Sequence, residues 1–209
     1  MNNNDFKGNR LKTFPHFFTR IKSQFPDANT GSFVDWEPID KYIVSSATTR
    51  KVYPAQGADD YTIKDAKDAT NFLKNENPHA AMVYFGAVDE TGHQDGFHPS
   101  VKAYLKAIER VDRHVGSLMS AVQSRLNYES ENWLVVVSTD HGGQGTGHDG
   151  GQDIPEIYTS FLIVSGQAAA KGKMRQQTYV VDVPVTALVH LGVEIDPEWK
   201  LDGQSVGLR

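Results

Sequence analysis

Cysteine is absent from all 209 residues, which excludes disulfides, thiolate metal ligands and a cysteine nucleophile. Zero cysteine suits the periplasm and the cytosol alike, so composition leaves the compartment open. Long apolar runs are also missing. None approaches the ~18 residues that mark a membrane helix, and Met1-Asn-Asn-Asn-Asp5 at the N-terminus has no signal-peptide h-region. No membrane partner is expected. An excess of positive charge is lacking too: 21 Lys+Arg stand against 26 Asp+Glu, a formal charge of −5. The charges form no tails, so no nucleic acid partner is expected. Repeats and low-complexity tracts are absent. At this length folding buries roughly 70% of the unfolded chain's surface, and residues 1–209 read as a single α/β domain.

What is present is an alternation of elements. Thr13 and Pro15 read as N-cap and first-turn proline of a helix through Gln24, followed by a strand from Asn29 to Val34. From Trp36 to Asp60 the period is broken by Pro38, Pro54 and Gly57; this segment reads as loop with a short strand from Tyr42 to Ser45. Thr62 with Asp65 resembles a capping box for a helix to Asn75, and a strand follows from Ala81 to Val88. Pro99 opens a long helix in which Val101, Leu105, Ile108, Val111, Val115, Leu118 and Val122 recur at three- and four-residue steps, predicting one buried face. Then come a strand from Trp133 to Ser138, a glycine-rich loop, a strand from Ser160 to Val164 and a helix from Val183 to Leu191. The pattern predicts an α/β three-layer sandwich with a mostly parallel sheet.

Two of the apolar strands end alike. The run from Met82 to Val88 delivers Asp89 and, four residues on, His93; the run Val135-Val-Val-Ser138 delivers Asp140 and His141. In an open parallel sheet the carboxyl ends of strands face the ligand crevice, so both pairs are expected to converge on one polar site. Gly92 permits a tight turn that swings the His93 imidazole back toward Asp89. Asp140 and His141 share a site only if the strand has ended, since neighbours in a strand point to opposite faces. Carboxylate oxygen with imidazole nitrogen suits Zn2+, with Mn2+ or Fe as alternatives. For either pair alone, a capped turn with a solvated histidine is the other reading. Six glycines between Gly142 and Gly151 flank His148, which reads as a further ligand. His16, His79, His114 and His190 read as solvated or satisfied helix-associated residues, and His98 as a helix cap or a substrate-side group.

Val88-Asp-Glu-Thr-Gly-His93, the long helix with Tyr104-Leu-x-Ala-Ile-x-x-Val-Asp112, Ser138-Thr-Asp-His-Gly-Gly143 and Gly147-His148 together resemble the alkaline phosphatase superfamily. Within it the likeness is to the type I phosphodiesterase/nucleotide pyrophosphatase branch. The segment from Val181 to Val193 and Leu201-Asp-Gly203 also resembles that group's C-terminal part. The resemblance implies an alkaline phosphatase-like sandwich and a metal-dependent hydrolase of phosphate esters or nucleotides working through two divalent ions, usually zinc. It matches Asp89 and His93 to ligands of one metal, Asp140 and His141 to ligands of the other, and His148 to completion of the first site, although Asp149 stands where the pattern has glycine. It also implies a periplasmic or secreted setting. The family's N-terminal strand and helix, with a second-metal Asp and a Thr or Ser nucleophile, has no counterpart here. The chain is therefore expected to be the C-terminal portion of a longer domain, inactive by itself, with Asn4 as a phosphate contact. A non-catalytic metal- or partner-binding remnant, a sulfatase, a phosphonate hydrolase and a phosphomutase are the alternatives.

Overall fold

The computed structural model describes residues 10–53 and 60–209, so Asn4 lies outside the described residues. Its contacts divide the chain into two compact units, up to Phe85 and from Gly86 onward.

The first unit is built on a parallel three-stranded sheet in the order β2-β1-β3, with β1 at Thr30–Val34, β2 at Thr49–Val52 and β3 at Ala80–Tyr84. The central strand is buried along its whole length. Gly31 lets α2 (Asp60–Asn75) approach closely: a Cβ there would stand 2.5 Å from the Phe72 ring. Phe72 packs 5.4 Å from Phe33, a ring pair worth about 0.5–1.5 kcal/mol beyond the area it buries. Helix α1 (Phe17–Gln24) buries Phe18 and Ile21.

Three expectations change in this unit. Helix α1 is capped by His16, not Thr13. Residues 10–14 form a separate turn in which Phe14 N–H donates to Arg10 O at 2.8 Å, and Pro15 disfavours the helical region for the residue before it. The apolar stretch around Tyr42 is a π-helical turn, Ile39–Ile43, instead of a strand. It buries Ile39 and leads into the fully buried Val44. The strand in this region is β2, four residues with half-buried ends and the exposed Arg50 and Lys51 between them, which suit a sheet edge. Arg50 Nε donates to Asp40 Oδ1 at 2.8 Å, tying the edge strand to the π turn.

The strand β3 stops at Tyr84, four residues short of Val88. Residues Ala87–Asp95 form helix α3, the first element of the second unit. Asp89 and Glu90 in its first turn suit the positive end of the helix dipole. Helix α4 spans Lys102–Gln123 and packs on α3. Its buried line is set by Ala107, Ala121 and Val122. Leu105 and Ile108, expected inside, are 40% and 41% exposed: the small Ala107 permits the close approach, and the larger side chains lie beside it.

Strand β4 (Leu134–Ser138) pairs with β5 (Leu162–Gly166) in the antiparallel sense. The described sheets are thus parallel in the first unit and antiparallel in the second. A parallel return needs a crossover of a dozen or more residues, usually a helix. The connection here holds only the short helical turn Gly151–Asp153 and the four-residue α5, Pro155–Tyr158. Helix α6 (Asp182–His190) packs on β4 and anchors the C-terminal segment. The buried Asp182 carboxylate accepts from Tyr179 N and Gln204 N, both at 2.8 Å, and Thr186 Oγ1 accepts from Val206 N at 2.9 Å. Among the described residues no helix is long and apolar enough to cross a membrane.

Candidate metal centre

The aspartate and histidines singled out at residues 89, 93, 141 and 148 all lie in the second unit. They come from two pieces of chain, α3 and the loop after β4. On α3 the four-residue spacing places Asp89 and His93 on one helix face, with Asp89 Oδ2 3.5 Å from His93 Nε2. The pair is therefore made by helical periodicity, not by a turn at Gly92. The loop brings His148 to the other carboxylate oxygen, Nε2 to Oδ1 at 3.8 Å. His148 stands between two further imidazoles, its ring 4.1 Å from that of His141 and 4.8 Å from that of His93. Asp89, His141 and His148 each turn a ligand atom to a common point, all within 4.8 Å of one another.

Asp140 is placed differently. It is an exposed bend residue after the strand end, with Oδ1 accepting from His141 N at 3.1 Å and Oδ2 3.7 Å from His141 Nε2. It borders the cluster through His141. Of the remaining histidines, His79 accepts from Asn29 N at 3.0 Å, His190 donates to Asn132 O at 2.8 Å, and His98 accepts from Ser100 N at 3.1 Å in a turn ahead of α4. Burial, then the nearby Arg50, lowers the His16 pKa; burial, then Arg110 and Arg113, does the same at His114.

Two hydrogen bonds fix imidazole tautomers. A carbonyl can only accept, so His93 Nδ1–H donates to Thr146 O at 3.0 Å and His141 Nδ1–H donates to Gly142 O at 2.8 Å. Each leaves the Nε2 lone pair free, the form in which imidazole binds a metal. Phe97, 9% exposed, packs under the cluster, edge-on to His93 at 5.4 Å and to His148 at 6.4 Å. Tyr104 closes the far side of that ring at 5.7 Å. Burial, and then the Asp89 charge, pushes its phenol pKa upward.

The sequence matches the family described as type I phosphodiesterase / nucleotide pyrophosphatase over residues 10–184. The chain belongs to that family. Its fold is accordingly of the alkaline phosphatase type, with the parallel and antiparallel sheet segments described above. No curated protein sequence matches it. Among solved structures, it is similar to murine ectonucleotide pyrophosphatase/phosphodiesterase 5, both alone (TM-score 0.44) and as an inactive variant in complex with AMP (TM-score 0.43). Identity is 20% in each case, over 60% of this chain and 32% of the murine chains. The chain thus spans about a third of their length.

A cation of the kind the family resemblance implies fits the residues present. Asp89 Oδ1 is shut off from solvent and has no hydrogen-bond partner, an arrangement that is costly for a carboxylate oxygen unless a charge meets it. The 3.8 Å between Asp89 Oδ1 and His148 Nε2 is near the ~3.3 Å between ligand atoms that share a tetrahedral ion with bonds of ~2.0–2.1 Å, and the 4.8 Å spread of Asp89, His141 and His148 would have to close on a bound ion. The residues that sequence reasoning missed are Phe97 and the two carbonyls that orient the imidazoles. The carbonyls carry no sequence signal. The signal for Phe97 was Gly92 and Gly143, where a Cβ would meet its ring at 2.2 Å.

Proposed function

We propose that the chain supplies the metal-binding part of a phosphate-ester hydrolase of the phosphodiesterase/nucleotide pyrophosphatase type, acting on small phosphodiesters or nucleotides. The observation that carries this reading is the convergence of Asp89, His141 and His148, with one buried carboxylate oxygen left without a donor. Family membership supports the substrate class. In this reading Asp89, His141 and His148 hold one divalent ion, and His93 faces the second carboxylate oxygen. Asp140, beside His141, is the residue through which a second ion would be held. Zn2+ suits this mixture of imidazole and carboxylate, with Mn2+ or Fe as alternatives. When bound, such an ion supplies Lewis acidity that neutralises charge developing on phosphoryl oxygens.

The chain's own groups prepare that site. The Asp89 carboxylate contributes the negative charge, and the Gly142 and Thr146 carbonyls take the Nδ1–H of His141 and His93, turning each Nε2 away from the carbonyl. Phe97 packs against His93, and Tyr104 packs against Phe97 in turn. The experiment is elemental analysis and zinc titration of the purified chain with Asp89→Ala and Asp140→Ala. At least one equivalent of zinc is expected, lost in Asp89→Ala; loss of only a second equivalent in Asp140→Ala identifies a two-ion site. A folded wild-type chain that binds no zinc, Mn2+ or Fe would refute the reading.

A further inference from the structure

We propose that Phe97 is the positioning residue of this centre, a single ring that locks α3 to the loop after β4 and thereby sets the separation of Asp89 and His93 from His141 and His148. The proposal rests on the cation reading above.

Two glycines on different elements give way to the same side chain. A Cβ at Gly92, in the middle of α3, would lie 2.2 Å from Phe97 Cε1, and a Cβ at Gly143, in the loop, 2.2 Å from its Cγ. Helix interiors disfavour glycine by about 1 kcal/mol relative to alanine, so Gly92 is explained by the ring that occupies its side-chain space. The ring is wedged between the two pieces of chain that carry the ligands.

Its backbone makes the same link, since Phe97 N–H donates to Gly145 O at 2.7 Å. Gly96, immediately before it, has φ +114° and lets the chain leave α3 toward the loop. From that position the ring meets His93 edge-on at 86° and His148 at 81°. These arrangements suit aromatic pairs and restrict each imidazole to a narrow range of χ2. His93 is thus held from two sides, by the ring and by Thr146 O; His148 has the ring below and Asp89 in front. A leucine in place of the ring would fill part of the volume without a flat edge for either imidazole.

The test compares wild type with Phe97→Leu and Phe97→Tyr in the full chain. It reads zinc affinity by competition with a chromophoric chelator, the visible spectrum of the cobalt-substituted protein, and the melting temperature of the metal-free form. Groups that orient metal ligands typically change affinity by roughly 10- to 100-fold when removed. Phe97→Leu is expected to weaken zinc binding by that amount and to alter the cobalt spectrum, whereas Phe97→Tyr keeps the wild-type spectrum. Should Phe97→Leu not fold, Phe97→Met offers a similar volume without a ring. A lowered melting temperature with unchanged affinity and spectrum would overturn the positioning role and leave a packing role. Wild-type protein that takes up neither zinc nor cobalt would instead remove the cation reading itself, a result distinct from the first.

Discussion

At the scale of single residues, charge pairs in the second unit separate into those that face the centre and those that hold the scaffold. Arg125 and Glu131 form a bidentate pair at 2.7 and 2.8 Å, and Trp133 Nε1 donates to the same carboxylate at 2.7 Å. This links the end of α4 to the start of β4. The Arg125 hydrogen bonds hold the Glu131 carboxyl below its usual range, with a smaller contribution from Trp133. The folded state therefore binds fewer protons than the unfolded chain near and below the ordinary carboxylate pKa of about 4.3. The stability this pair contributes is present above that value and is lost as pH falls through the depressed folded value. Glu131→Gln is expected to cost about 1 kcal/mol at pH 7, a fall of roughly 2–4 °C in melting temperature. The gap should narrow as the pH is lowered toward 3. Thermal melts of both proteins from pH 7 to 3 check this; a gap that widened in acid would contradict the assignment. The same scale holds the most legible part of the site. Asp89, His93, His141 and His148 were readable because each stands beside an apolar run or in a glycine-rich loop. The pairing of His93 with Asp89 was readable too, but the contacts that orient the imidazoles were not, because tautomers and ring contacts depend on carbonyls and on Phe97, which no spacing rule marks.

Among elements, length and continuity decided what the sequence disclosed. The period of α4 and the apolar run of β4 are long enough to name their type. The four-residue β2 and the π turn at Ile39–Ile43 carry no apolar run or period that sets them apart from loop. The strand sense of β5 was hidden for another reason: it depends on how the 139–161 connection folds, and that is fixed by close backbone approaches. Gly142 is one. Its N–H donates to Ile157 O at 2.7 Å, and a Cβ there would stand 2.2 Å from the Glu156 carbonyl oxygen. Because the obstruction is backbone, Gly142→Ala should push the loop off α5, at about 1–3 kcal/mol. It should also weaken zinc binding, since the Gly142 carbonyl orients His141. Gly147→Ala is the control: its Cβ meets nothing within 4 Å, although it adjoins His148. Zinc isotherms and melts of the two variants should therefore separate clearly; equal effects would show that the loop is not held at Gly142.

For the whole molecule, a cation held at the proposed centre would not by itself turn over a phosphate ester. Phosphoryl transfer through a covalent intermediate needs an activated hydroxyl within reach of the metal-polarised phosphorus. Three hydroxyls close in sequence to the cluster are committed elsewhere. Thr91 donates to Ala87 O at 2.7 Å, Ser138 to Phe161 O at 2.8 Å and Thr139 to His141 O at 2.6 Å. Each proton sits on a backbone carbonyl, and none of these groups has a side-chain base to take it. Cation binding and catalysis are therefore expected to separate in this chain. With saturating zinc, hydrolysis of bis(p-nitrophenyl) phosphate by the purified chain is expected at least ~10³-fold below the ~10 s⁻¹ typical of enzymes, while zinc affinity stays intact. Release of p-nitrophenolate, followed against zinc-containing buffer and against Asp89→Ala, measures it. Turnover near 10 s⁻¹ that vanished in Asp89→Ala would show that this chain carries its own nucleophile, and the search would move to the Ser and Thr hydroxyls outside the hydrogen bonds described here.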